Sequence, residues 1–60
     1  MIDANGRAIE KGVKVRQVEG EIVAQVYYID YVKRICFLMI VDEIRFGDLV
    51  KLPPDQLEVV

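Results

Sequence analysis

The sequence predicts an all-β domain, a small five-stranded barrel with an N-terminal β-hairpin extension. Three observations carry this. Apolar residues recur in short strand-length runs separated by turn signals, the spacing of a sandwich or barrel. Val and Ile dominate those runs, joined by three Tyr and two Phe, all residues that favour a pleated surface. The usual helix starters are scarce, because the chain has neither Ser nor Thr and few of its Asp and Asn precede a run with helical spacing.

Residues 1–11 form the hairpin lead-in and residues 12–60 the barrel, together one domain. Ile2 to Ile9 frames Asn5-Gly6, the preferred pair for a type I′ turn. Its arms are short, so the hairpin is expected to pack on the barrel. Asp3 and Asn5 begin like a calcium loop, but Arg7 occupies the third ligand position and no calcium site is expected. Val13, Val15 and then Val18 alternate with Lys14, Arg16 and Gln17 in a half-buried first strand with one slip near its end. Glu19-Gly20-Glu21 is its turn. Ile22 to Ile29 is a longer strand whose alternation places Ile22, Ala24, Val26 and Tyr28 on one face and Val23, Gln25, Tyr27 and Ile29 on the other. Asp30 to Lys33 reads as a tight reversal without glycine.

Arg34 to Val41 is the third strand. Asp42-Glu43 breaks its apolar run and reads as a solvated bulge or a gatekeeper pair beside an aggregation-prone strand. Ile44 to Phe46 either continues the third strand past a bulge or begins the next. Leu49 to Leu52 is a short strand stopped by Pro53-Pro54, since proline cannot donate to a ladder. Pro54-Asp55-Gln56 suits a single 3₁₀ turn, and Leu57 to Val59 returns as an edge strand.

Gly12-Val13-Lys14-Val15-Arg16, Gly20-Glu21-Ile22-Val23 and Leu52-Pro53-Pro54-Asp55-Gln56-Leu57-Glu58-Val59 resemble the corresponding segments of SH3-like small barrels, in particular the KOW and Tudor-like branch. The resemblance runs from Gly12 onward. It implies a closed five-stranded barrel in a group that includes nucleic-acid binders, peptide binders and assembly proteins. Its motifs encode turns and closure rather than chemistry, so function must be argued from the surface. The chain departs from peptide-binding members in having no Trp, and from RNA-gripping members in its net charge of −2.

Composition removes several classes of function. One cysteine, Cys36, rules out an internal disulfide, and with no His a four-ligand zinc set is not expected. No cofactor is expected. No enzyme is expected either, because His and Ser are absent and Cys36 lies inside an apolar strand where a thiol is inert. Gln25-Val26-Tyr27 is faintly similar to a segment of plasmid-encoded trimethoprim-resistant dihydrofolate reductases, SH3-like tetramers with a central pore, without changing that expectation. The longest apolar run, Ile35 to Val41, is far below the roughly 20 residues that span a bilayer, and the start lacks a secretory pattern. The expected setting is cytoplasmic, with no membrane partner.

The third strand carries the functional expectation. Ile35, Phe37, Met39 and Val41 face one way, and Cys36, Leu38 and Ile40 the other. Only one face of a barrel strand points inward, so an apolar face is left over. The expectation is a non-catalytic binding or assembly module that forms a homo-oligomer or binds another protein through Tyr27, Ile29, Tyr31, Ile35, Phe37 and Met39. One register step would exchange that face for its alternate. The second reading is nucleic-acid binding, with Tyr27, Tyr28 and Tyr31 stacking bases beside Lys33, Arg34 and Arg45. Against it stands the absence of a basic stripe.

Overall fold

A computed structural model describes residues 1–60. It contains five strands and no α-helix: β1 (Lys14–Gln17), β2 (Val23–Asp30), β3 (Ile35–Ile40), β4 (Leu49–Leu52) and β5 (Leu57–Val59), with a 3₁₀ turn at Pro54–Gln56. No helix is long and apolar enough to cross a membrane. The strands pair antiparallel in the order β4-β3-β2-β1-β5, leaving β4 and β5 as edges of an open sheet.

The short elements follow local chemistry. Pro54 sits at the first turn of the 3₁₀ segment, where its missing N–H costs nothing, and the Leu57 N–H donates to the Pro54 carbonyl before the chain re-enters the sheet. Asp30 closes the reversal between β2 and β3 by accepting the N–H groups of Val32 and Lys33 at 3.1 and 3.0 Å. The missing glycine is replaced by Arg34, which takes φ 56.

The inner side of the sheet holds the core. Val15, Ala24, Val26, Cys36, Leu38, Ile40 and Leu57 are buried there, with Ile9 arriving from the N-terminal segment. Met1, Val13, Ile22, Val50, Leu52 and Val59 pack around it. The accessible surface is 4107 Å², close to the ~4,000 Å² that the size relation gives a compact monomer of this mass. Surfaces that remain open are therefore features of a folded chain.

The expected closure into a barrel is not seen: β4 and β5 do not pair, and the sheet stays open. Further expectations change in the turns. The N-terminal segment does fold back, with a bridge between Ile2 and Ala8, but its turn is not type I′. Gly6 has φ 84, whereas Asn5 keeps a negative φ. The turn is organised by Asp3, which is 5% exposed. One of its carboxylate oxygens accepts the N–H groups of Asn5 and Arg7 at 2.9 and 2.7 Å. The other accepts the Val59 N–H at 2.6 Å, and the Ala4 N–H donates to the Leu57 carbonyl at 2.9 Å. The segment thus lies along β5.

Ile44 to Phe46 neither continues β3 nor begins β4. It sits in the connecting turn. Asp42 is half-buried and organises that turn rather than standing as a solvated gatekeeper. It accepts the N–H groups of Ile44 and Arg45 at 2.9 and 2.7 Å and pairs with the Arg45 guanidinium at 3.3 Å. An aspartate that satisfies the backbone two and three residues on competes successfully with a ladder.

Candidate functional site

The outer side of β2, β3 and β4 carries the apolar surplus. Along β3 the burial alternates strictly. Cys36, Leu38 and Ile40 are buried on the inner side, and Ile35, Phe37 and Met39 are half-buried on the outer. The neighbours are set by register: Met39 lies between Gln25 and Leu49, and Phe37 between Tyr28 and Lys51.

A bulge decides which β2 residues join that face. The β2–β3 register shifts between Val26 and Tyr28, so Tyr27 is the extra residue. Ala24 and Val26 face inward before the bulge, and Ile29 faces inward after it. Tyr27 and Tyr28 are both left outside. Their rings meet the Phe37 ring edge-on, with centroids at 6.3 and 5.4 Å. Edge-to-face pairing of this kind is the favoured aromatic geometry. The physical reason for the bulge is visible in the side chains. Two consecutive tyrosines keep their hydroxyls in water only if the strand skips a step, and the same skip buries Ile29.

Ile29 is consequently a core residue, 8% exposed, and leaves the expected interface. Strict alternation had grouped it with Tyr27, and the bulge breaks that grouping. Tyr27, Ile35, Phe37 and Met39 do share the outer face. Tyr31 is exposed but belongs to the β2–β3 turn, at one end of it. The residues missing from the expectation are Tyr28, Leu49 and Lys51, together with Ile44 and Phe46 in the turn before β4. Leu49 could have been read from alternation with Lys51 on β4. Tyr28 required the bulge.

The N-terminal hairpin does not cover this surface, since it is engaged along β5 and places Met1 against Cys36 on the inner side. Tyr27, Phe37, Leu49, Val50 and Lys51 border a shallow depression on the sheet. A second, polar notch lies between the β1–β2 turn and the 3₁₀ segment, lined by Gln17, Val18, Glu19, Asp55 and Gln56.

The ionisable groups near these surfaces are engaged in structure. Backbone N–H donation, led by Val59, holds the Asp3 carboxyl below its ordinary range. The Arg45 N–H does the same for Asp42, helped by that of Ile44 and by the Arg45 charge. Burial pushes the Cys36 thiol up, away from the reactive thiolate. Arg16 and Glu58 form an ion pair across β1 and β5. No group of three acidic, Cys or His side chains comes together to hold a metal ion.

Comparison with known protein families, curated proteins and solved structures gives no match to this chain.

Proposed function

We propose that this chain is a small non-catalytic binding or assembly module of the cytoplasm, an SH3-like barrel in fold, that contacts a second copy or another protein through the outer face of β2, β3 and β4. The β1–β4 meander, the return of β5 to pair with β1, and the 3₁₀ turn before β5 support the fold reading. The observation that carries the functional reading is that face itself. Ile35, Phe37 and Met39 are apolar and only half-buried, Tyr27, Tyr28 and Leu49 beside them are exposed, and nothing in the chain folds over them. Contiguous apolar surface of this kind on a small domain marks an interaction site.

A non-catalytic role fits the ionisable groups. Asp3 and Asp42 are committed to backbone N–H groups, which makes them weak proton carriers near neutral pH. The single thiol is buried.

Tyr28→Lys tests the reading, because it puts a charge in the patch without touching the core. Sedimentation across a dilution series should show the natural chain above 6.9 kDa, or retaining a protein partner, and Tyr28→Lys losing that association. A natural chain that stays at 6.9 kDa and retains no protein that Tyr28→Lys fails to retain would overturn it.

Nucleic-acid binding is the second reading. It draws on the turn that groups exposed Tyr31 with Lys33 and Arg34. It requires binding to single-stranded RNA or DNA that weakens steeply as salt is raised. Absence of binding at low salt removes it.

A further inference from the structure

We propose that two copies of this chain pair edge to edge through β4, in an antiparallel two-fold arrangement centred on Val50. This rests on the apolar-face reading above and specifies its partner and geometry. The starting observation is that the two edges of the sheet are treated differently. On β5 three of the four outward groups are taken: the Val59 N–H by the Asp3 carboxylate, the Leu57 carbonyl by the Ala4 N–H and the Leu57 N–H by the Pro54 carbonyl. β4 has no such cover. The Ile40 N–H donates to the Asp48 carbonyl, so the backbone of Asp48 turns toward β3. By antiparallel alternation Val50 and Leu52 do likewise, and Leu49 and Lys51 present their N–H and C=O groups away from the sheet. An edge of this kind is a template for another strand.

Three features select a second copy as that strand. First, the register works. Centred on Val50, each Leu49 exchanges backbone hydrogen bonds with the partner's Lys51, and no lysine stands opposite itself. Second, the outer face becomes continuous. The row Met39–Leu49 runs on into the partner's Lys51 and Phe37, and the stem of Lys51 lies along apolar surface while its ammonium reaches water. Third, exposed apolar area stands at the edge itself. Leu49 on β4, and Phe46 and Ile44 in the turn that leads into it, are 64, 70 and 93% exposed. They offer on the order of 400 Å², about half of the ~800 Å² that each partner contributes to a standard interface, before the paired backbone is counted. An isologous two-fold pairing also closes on itself, so the edge is used up rather than propagated into a fibre.

The test is amide hydrogen exchange on the natural chain, read together with its sedimentation mass at low and high concentration. Pairing predicts twice 6.9 kDa at high concentration. The Leu49 and Lys51 amides should then slow by about tenfold or more on going from dilute to concentrated protein, while Val50 and Leu52 are protected throughout. Lys51→Pro removes an outward N–H that β3 does not use and should return the mass to 6.9 kDa. A raised mass with Leu49 and Lys51 amides still exchanging freely, and with Lys51→Pro unchanged in mass, overturns edge pairing while apolar-face assembly stands. A mass of 6.9 kDa at every concentration overturns pairing with a second copy. The reading under test with Tyr28→Lys then survives only if that face retains a different protein.

Discussion

The two faces of β3 are built from one run of six apolar residues and have opposite fates. Cys36, Leu38 and Ile40 are sealed, whereas Ile35, Phe37 and Met39 are shielded only by their sheet neighbours. Side-chain hydrophobicity does not separate them, since Phe37 is as apolar as Leu38. What separates them is the rest of the chain. Ile9, Val15 and Leu57 converge on the inner side from distant positions. Nothing converges on the outer side. A face becomes core through the non-local segments that reach it, and a face that none reaches stays open to solvent.

The largest test of that contrast is a pair of truncations. Leu38→Ala removes a fully buried side chain with little room for collapse, and should destabilise by about 2–5 kcal/mol. A domain this small has only ~5 kcal/mol or somewhat more to lose, so most of the cooperative urea transition should disappear. Phe37→Ala loses two edge-on tyrosine contacts but leaves no sealed cavity, and should cost about 1–2 kcal/mol in dilute protein. Equal losses in the two variants would mean that the outer face is core in the single chain as well.

A smaller effect concerns what closes the inner side. Asp3 fastens the N-terminal segment to β5, and its carboxyl is held below its ordinary range chiefly by the Val59 N–H. A lowered folded pKa stabilises the fold fully above the ordinary aspartate value of about 3.9. That contribution drains as pH falls through the lower folded value. In Asp3→Asn one oxygen remains, and the amide nitrogen that replaces the other would face the Val59 N–H, donor against donor. The urea midpoint of Asp3→Asn should therefore lie below that of the natural chain at pH 7, and the gap should narrow toward pH 3. Asp42 also titrates low, and comparing the two chains cancels it. A gap that stays constant with pH would assign the loss to packing alone.

Much of this contrast was legible in the residues. Strict alternation along Ile35 to Ile40 announced two apolar faces, and Pro53-Pro54 marked the end of β4 and the 3₁₀ turn after it. The all-β class and the four-residue β4 needed only local pattern. What alternation could not supply was the bulge at Tyr27, because neither Gly nor Pro marks it. The usable signal was chemical: Tyr27-Tyr28-Ile29 asks for two wet hydroxyls followed by a dry side chain. The Asp3 and Asp42 turns were missed for a related reason. Asn5-Gly6 suggested a backbone-driven hairpin, and Asp42-Glu43 a charged interruption. In both places one carboxylate satisfies several backbone N–H groups, an arrangement that depends on where the following chain goes. The candidate site follows the bulge directly, losing Ile29 and gaining Tyr28.

The smallest effect sharpens the contrast from the end of the sheet. Arg34 holds a left-handed φ of 56 at the foot of the β2–β3 turn, a conformation in which Cβ crowds the following carbonyl. Arg34→Gly relieves that crowding, at about 1–2 kcal/mol, and gives back part of it as extra freedom in the unfolded chain. The net should be a stabilisation of roughly 0.5–1 kcal/mol, read as a higher urea midpoint. Because Asp30 holds the turn from its other side through the Val32 and Lys33 N–H groups, the reversal itself survives the change. The turn lies at the far end of β3 from the loop that leads into β4. Under β4 pairing the variant should therefore keep the assembly mass of the natural chain while resisting urea better. A change in mass would draw Tyr31 and its turn into the interface, and the working surface would then extend past the open edge to the end of the sheet.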